Sequence, residues 1–239
     1  MRQARTLRPI GPVESERMRL ETIAKPGGGS RVIVHLGERD RQRYEEAVAS
    51  VTPSIERSLS DGVVANRAWV AGGRLEIEPW TRARRRYLRT VRAASRGPYR
   101  AAFFGDVRDC YGSITPAVVS RALERLGARP ERIEDLATIL RGFEASGIAG
   151  LPVGPHPSAV LANAVLAPID AALHRIAGPV AIRWVDDVLV FTNDVDRARR
   201  AATAFEGALR ASGLAANDEK CRVIDEPAGV LGAGSATSP

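Results

Sequence analysis

Apolar residues recur along this chain in two rhythms, one helical and one strand-like, and the places where they change divide it into elements. Residues 38–57 carry helical spacing, with a break expected at Pro53. Residues 116–126 read as a helix with Thr115 as N-cap, Pro116 in the first turn and Gly127 as the stop. A further helical segment covers 130–143, and a long one covers 158–176 after a Gly150-Leu-Pro loop. In residues 195–212, Ala198, Ala201, Ala202, Phe205, Ala208 and Leu209 keep the helical period, so one face of that helix is expected to be buried before Gly213 ends it. Strand-like runs lie at 101–106, at 179–191 and at 221–224. Residues 13–35 read as an extended segment and a strand pair around the glycines at 27–29, and Gly72-Gly73 marks another turn. The chain contains no internal repeat.

Two adjacent carboxylates interrupt the apolar run at 179–191, in Trp184-Val-Asp186-Asp187. Burying them without a partner is costly. The flanking residues are β-branched or aromatic, which predicts two short strands with the acids at the turn between them. Asp-Asp is also an ordinary turn dipeptide. A third acid, Asp106, ends the apolar strand Ala101-Ala-Phe-Phe-Gly-Asp106. If the two strands are neighbours in one sheet, Asp106 and Asp186 can share a hard cation.

Six segments in order between residues 23 and 224 resemble those of the reverse transcriptases, and more loosely of right-hand polymerases. Asp106-Val-Arg-Asp-Cys-Tyr111 resembles the first palm motif, and Trp184-Val-Asp186-Asp187 resembles the aromatic-x-Asp-Asp motif. Gly150-Leu-Pro-Val-Gly154-Pro-His-Pro-Ser158 is similar to the segment that opens the long palm helix. Gly213-Leu-Ala-Ala-Asn217-Asp-Glu-Lys220 resembles the element after the palm hairpin, whereas Lys25 to Ile33 and Val64-Ala-Asn-Arg67 resemble fingers segments. The short fingers and the Gly-Pro-His-Pro wording are nearest to stand-alone bacterial enzymes of the retron, abortive-infection and phage-defence types.

The resemblance implies an α/β (α+β) fold: a right-hand palm with an antiparallel sheet and helices, N-terminal fingers, and a thumb that is absent or minimal. It divides the chain into a basic fingers region at 1–100, a catalytic palm at 101–226 and a flexible tail at 227–239. It departs from the family in having Val153 where many relatives have glutamine, and Trp184 where Tyr or Phe is commoner.

Charge supports this division. Residues 1–100 hold 21 Arg and Lys against 11 Asp and Glu, a net of +10, and residues 101–239 hold 14 against 17, a net of −3. Six arginines fall between positions 82 and 92, namely Arg82, Arg84, Arg85, Arg86, Arg89 and Arg92. Such a cluster is an electrostatic footprint for a phosphate backbone, although a solvated helix face uses the same residues. At 239 residues and 44% apolar content the chain can bury a core. It holds no run of 18 uncharged apolar residues, its Arg-rich start lacks the apolar centre of a signal peptide, and Cys110 and Cys221 provide no disulfide framework. A cytoplasmic protein with no membrane partner is expected.

The resemblance implies nucleotidyl transfer by two Mg²⁺ ions, or Mn²⁺ in their place, held by Asp106 and Asp186. Asp187 would be a third ligand, or would only keep the potential negative and complete the turn. Tyr111 would be the gate under the sugar that selects dNTPs, or a core tyrosine. Of 33 arginines and two lysines, both lysines fall in matched segments. Lysine can be tuned as a proton donor where arginine cannot, so Lys220 is the candidate general acid for pyrophosphate. Lys25 and Arg31 would clamp the triphosphate, with Arg67 and Gly154 also at the substrate. The expected function is RNA-directed DNA synthesis on an RNA template from a DNA or RNA primer, with a partner protein or an oligomer supplying a thumb. The alternative is a truncated, catalytically impaired nucleic-acid-binding protein of polymerase fold.

Overall fold

Two strands, β5 (Ala101–Asp106) and β7 (Asp187–Thr192), are buried on both faces, and the other elements cover them. The structure is a computed structural model that describes residues 18–24, 29–177 and 180–226. β5 and β7 pair antiparallel with Ala101 opposite Thr192 and Asp106 opposite Asp187. β6 (Ala181–Trp184) adds to the far side of β7, and β8 (Arg222–Asp225) to the far side of β5, giving the order β6-β7-β5-β8.

Side chains alternate across this sheet, as the pleat requires. Phe103, Val188 and Val190 enter the larger core beneath it. Ala102, Leu189, Phe191 and Trp184 enter a smaller core above it. Each fully buried Val, Leu or Phe contributes roughly 1.5–3 kcal/mol. Because both faces are covered, β5 and β7 are almost wholly apolar, and the acids at their ends stand out.

The larger core is closed by helices. α4 (Pro116–Arg125), α5 (Pro130–Ala145), α6 (His156–Ala177) and α7 (Val195–Ala211) follow their sequence expectations to within a few residues. The Thr115 hydroxyl accepts from the Val118 amide, and the Asp194 carboxylate accepts from Arg197, so both helix starts are satisfied locally. Among the described residues α6 is the one helix long and apolar enough to cross a membrane, and most of its apolar residues are buried in the core.

α1 (Glu38–Ser58) also packs into this core. The break expected at Pro53 does not occur. Tyr44, Val48 and Val51 before the proline, and Ile55 after it, are all buried, and this shared face outweighs the lost amide hydrogen bond. Two hairpins flank α1, formed by β1 (Arg19–Ala24) with β2 (Ser30–His35), and by β3 (Ala68–Ala71) with β4 (Arg74–Ile77) across Gly72-Gly73. α2 (Trp80–Ser95) sets Ala83, Tyr87, Val91 and Ala94 in the smaller core. A single turn of helix, α3 (Cys110–Ser113), follows β5.

Candidate active site

The register of β5 on β7 makes Asp106 and Asp187 direct cross-strand partners. Both residues are buried, 3% and 7% exposed. Asp186 lies one residue earlier, in the turn from β6, half-buried. Three like charges are thus concentrated where little water screens them. Asp187 is pushed up to about 8, first by burial and then by the charges of Asp186 and Asp106. Asp186 is raised as well, mainly by burial, with Asp106 adding to it.

Counter-charge comes from the turn after α7. Lys220 Nζ donates to Asp106 Oδ2 at 2.9 Å, and Asn217 Nδ2 donates to Asp106 Oδ1 at 2.8 Å. The Asn217 amide also donates to the Asp106 carbonyl at 2.9 Å, which fixes the turn on the end of β5. The bond to Asp106 raises Lys220 above its ordinary value, so it stays protonated near neutrality.

Tyr111 sits in α3, five residues beyond Asp106. Burial raises its hydroxyl, and the neighbouring charge of Asp186 adds to this, while Arg31 acts in the opposite direction. The positive field of Arg31, at the start of β2, reaches Asp186 too. The Tyr111 carbonyl accepts from Leu151, so the loop before α6 rests on α3. The structure therefore brings Asp106, Asp186, Asp187, Lys220, Tyr111 and Arg31 to one end of the sheet.

A family profile described as "Reverse transcriptase (RNA-dependent DNA polymerase)" matches residues 23–234, and the match contains all of these groups. The chain belongs to the reverse transcriptase family. Among solved structures it is similar to apo telomerase from Candida tropicalis truncated from its C-terminal domain, at 14% identity and a TM-score of 0.55. That likeness concerns the fold, an α/β arrangement with an antiparallel sheet. It covers 86% of this chain and 49% of the telomerase chain, so this chain spans about half of that length. No curated protein matches it.

Other site residues expected of a reverse transcriptase fall elsewhere. Lys25 lies outside the described residues. Arg67 is turned inward, where its Nε donates to Glu56 Oε2 at 2.8 Å and its Nη1 to the Ser60 carbonyl. The Glu56 carboxylate also accepts from the Ala68 amide, so this arginine orders a loop. Gly154 lies against β2, where a Cβ would come within 3.0 Å of the Val34 carbonyl oxygen, and Val34 donates to the Val153 carbonyl at 2.7 Å. The backbone at 153–154 therefore seats the β1–β2 hairpin on the entrance to α6.

The arginine cluster divides in two. Arg82, Arg85, Arg89 and Arg92 lie exposed along one face of α2. Arg86 turns inward, pairing with the buried Glu78 at 2.8 Å and donating to the Val64 carbonyl, while Arg82 reaches the same carboxylate from the exposed side at 3.5 Å. The Arg84 guanidinium lies over the rings of Tyr87 and Trp184, at 5.3 and 5.5 Å. The helical period separates residues that are adjacent in sequence, so only part of the cluster can meet a phosphate backbone.

The site's chemistry suits hard cations, since it holds three acids and a potential strong enough to keep Asp187 protonated near neutrality. Among the described residues no group of three His, Cys, Asp or Glu is set to hold an ion as it stands, and both Asp106 oxygens are engaged by Asn217 and Lys220. Asn217 falls within a matched segment, but its type and position alone assign it no role. For Arg183, Asp170 and Asn163 the one sequence signal is an arginine inside an apolar run.

Proposed function

We propose that the protein is an RNA-directed DNA polymerase that adds deoxynucleotides to a primer 3′-hydroxyl on an RNA template. The observation that carries this is the convergence of Asp106, Asp186 and Asp187 on the register pair of β5 and β7, with Lys220 in contact. Asp106 and Asp186, with Asp187 beside them, would hold two Mg²⁺ ions, or Mn²⁺, which supply activation of the 3′-hydroxyl and charge neutralisation on the triphosphate.

The chain's own residues do the rest. Lys220, held protonated by Asp106, gives its proton to the leaving pyrophosphate. Arg31 directs positive charge at the place where the triphosphate approaches Asp186. Tyr111 forms the wall under the sugar and selects dNTPs. Arg82, Arg85 and Arg89 hold the phosphate backbone along the exposed face of α2.

Residues up to 100 act as fingers and residues 101–226 as palm in this proposal. The Gly154-Pro-His-Pro157 wording supports a stand-alone bacterial enzyme of the phage-defence types; a cytoplasmic setting is part of the same proposal. Primer extension by the purified protein, with an RNA template, dNTPs and Mg²⁺, tests the activity. Extension that Asp186→Asn abolishes while nucleic-acid binding persists is the expected result. Wild-type protein that binds primer and template but never extends them would favour an inactive nucleic-acid-binding role.

A further inference from the structure

Arg183 is a full charge in a place where the fold calls for an apolar side chain. Its neighbours on β6, Ile182 and Trp184, face the smaller core, so the pleat turns Arg183 towards α6, where it is 2% exposed. Its Nε and Nη2 grip both oxygens of the equally buried Asp170, at 2.8 and 2.9 Å. A buried ion pair of this kind contributes little net stability, because desolvation offsets the attraction. Such a pair is better suited to fixing a geometry than to adding stability.

The remaining nitrogen shows which geometry that is. Arg183 Nη1 donates to the Val185 carbonyl at 2.8 Å and to Asn163 Oδ1 at 2.8 Å. Val185 has a φ of +57°, which a β-branched side chain rarely adopts. Such a conformation persists only where the surroundings impose it. It directly precedes Asp186, and therefore sets the direction in which that carboxylate leaves the turn. The network extends further, because Asn163 Nδ2 donates to the carbonyls of Ala65 and Asn66, in the loop ahead of β3. The Arg183 main chain meets the same region, its amide donating to Gly62 and its carbonyl accepting from Val64.

We propose that Arg183 is a positioning residue that clamps the Val185 carbonyl and so holds the Asp186-Asp187 turn in its strained form, with Asn163 tying that clamp to the loop at 65–66. This rests on the polymerase reading for its kinetic consequence, and on geometry alone for its effect on the turn. Movement of the fingers-side loop is thereby coupled to the acid turn through two side chains.

The test is a rescue. Arg183→Lys keeps the charge but cannot grip Asp170 and Val185 together, and is expected to lower kcat at least tenfold with the KM for dNTP changed less than threefold. Glycine adopts a positive φ without strain, so adding Val185→Gly should restore at least threefold of the loss. A residue needed only for folding predicts the reverse, since the glycine adds flexibility to an already weakened protein. Binding of Mn²⁺ alone, followed by electron paramagnetic resonance, gives a second reading that needs no polymerase activity. It should weaken tenfold in Arg183→Lys and recover in the double variant.

If Arg183→Lys does not fold, Asn163→Ala takes its place, because it spares the Asp170 pair; a three- to tenfold loss of kcat with unchanged melting is then expected. A folded Arg183→Lys protein with wild-type kcat and Mn²⁺ affinity, or a double variant no better than the single one, overturns the clamp. Wild-type protein that binds Mn²⁺ without incorporating nucleotide refutes the polymerase reading and leaves the clamp to the Mn²⁺ series. Wild-type protein that does neither overturns both.

Discussion

Gly150 and Gly147 provide a matched pair for testing how the loop before α6 holds Tyr111. Both have positive φ, +66° and +86°, so alanine costs about 1–2 kcal/mol of backbone strain at either position. At Gly147 a new Cβ would meet nothing within 4 Å. At Gly150 it would lie 2.2 Å from the Tyr111 carbonyl oxygen and 2.6 Å from that of Gly112. Contacts under 3.0 Å are essentially never seen, so the loop and α3 must separate by at least 3.0 − 2.2 = 0.8 Å. That movement breaks the hydrogen bond from Leu151 to Tyr111, at about 1–3 kcal/mol for a buried group left unpaired, and overpacking adds about 1–3 kcal/mol. Gly150→Ala should therefore destabilise by roughly 3–8 kcal/mol, against roughly 1–2 for Gly147→Ala. At about 2–4 °C per kcal/mol for a chain of this size, the gap is measurable by thermal melting, and urea titration supplies the free energies. The folded fraction of Gly150→Ala should also discriminate less well between dNTPs and ribonucleotides, since Tyr111 is displaced, whereas Gly147→Ala should keep wild-type discrimination. Equal destabilisation by the two substitutions would refute the seating of this loop on α3.

Asp187 has its proton affinity raised by folding, so in the metal-free protein its own contribution to stability is fully present below the ordinary carboxylate range and is lost as pH rises towards about 8. Asp187→Asn removes that loss; in EDTA its melting temperature should exceed wild type at pH 8 by more than at pH 5, and parallel pH profiles would contradict the cause given for the shift. Replacing Arg82, Arg85 and Arg89 with glutamine should weaken nucleic-acid binding and lower the salt slope by about 2–3, at roughly 0.7–0.9 per phosphate contact; an unchanged slope returns this face to solvent. Arg86→Gln should instead lower stability by roughly 1–3 kcal/mol, since the buried Glu78 would keep only the longer contact to the exposed Arg82 at 3.5 Å and the half-exposed Arg86 is screened by solvent; chemical denaturation detects that loss and salt titration of binding does not. Tyr111→Ala should admit ribonucleotides, each tenfold loss of discrimination being about 1.4 kcal/mol, and an active variant as selective as wild type would make Tyr111 a core residue.

The sequence by itself determined the elements and the acids. Helical spacing located α4, α5, α6 and α7, because each buries one face and that face repeats at the helical period. Asp106, Asp186 and Asp187 stood out in the sequence because β5 and β7 are buried on both sides, so an acid at the end of either apolar run is conspicuous. What only the tertiary structure decided depends on partners distant in the chain. Whether an arginine meets solvent or an acid is a matter of helix face and neighbour, so Arg85 points outward while Arg86 finds Glu78, and Arg67 finds Glu56. Pro53 was overruled for the same reason, since packing on both sides of it stabilises more than one amide bond. The grip of Arg183 on Asp170, Asn163 and the Val185 carbonyl lay beyond sequence reasoning altogether. It joins a strand, a helix and a strained turn that only the folded chain brings within hydrogen-bonding reach.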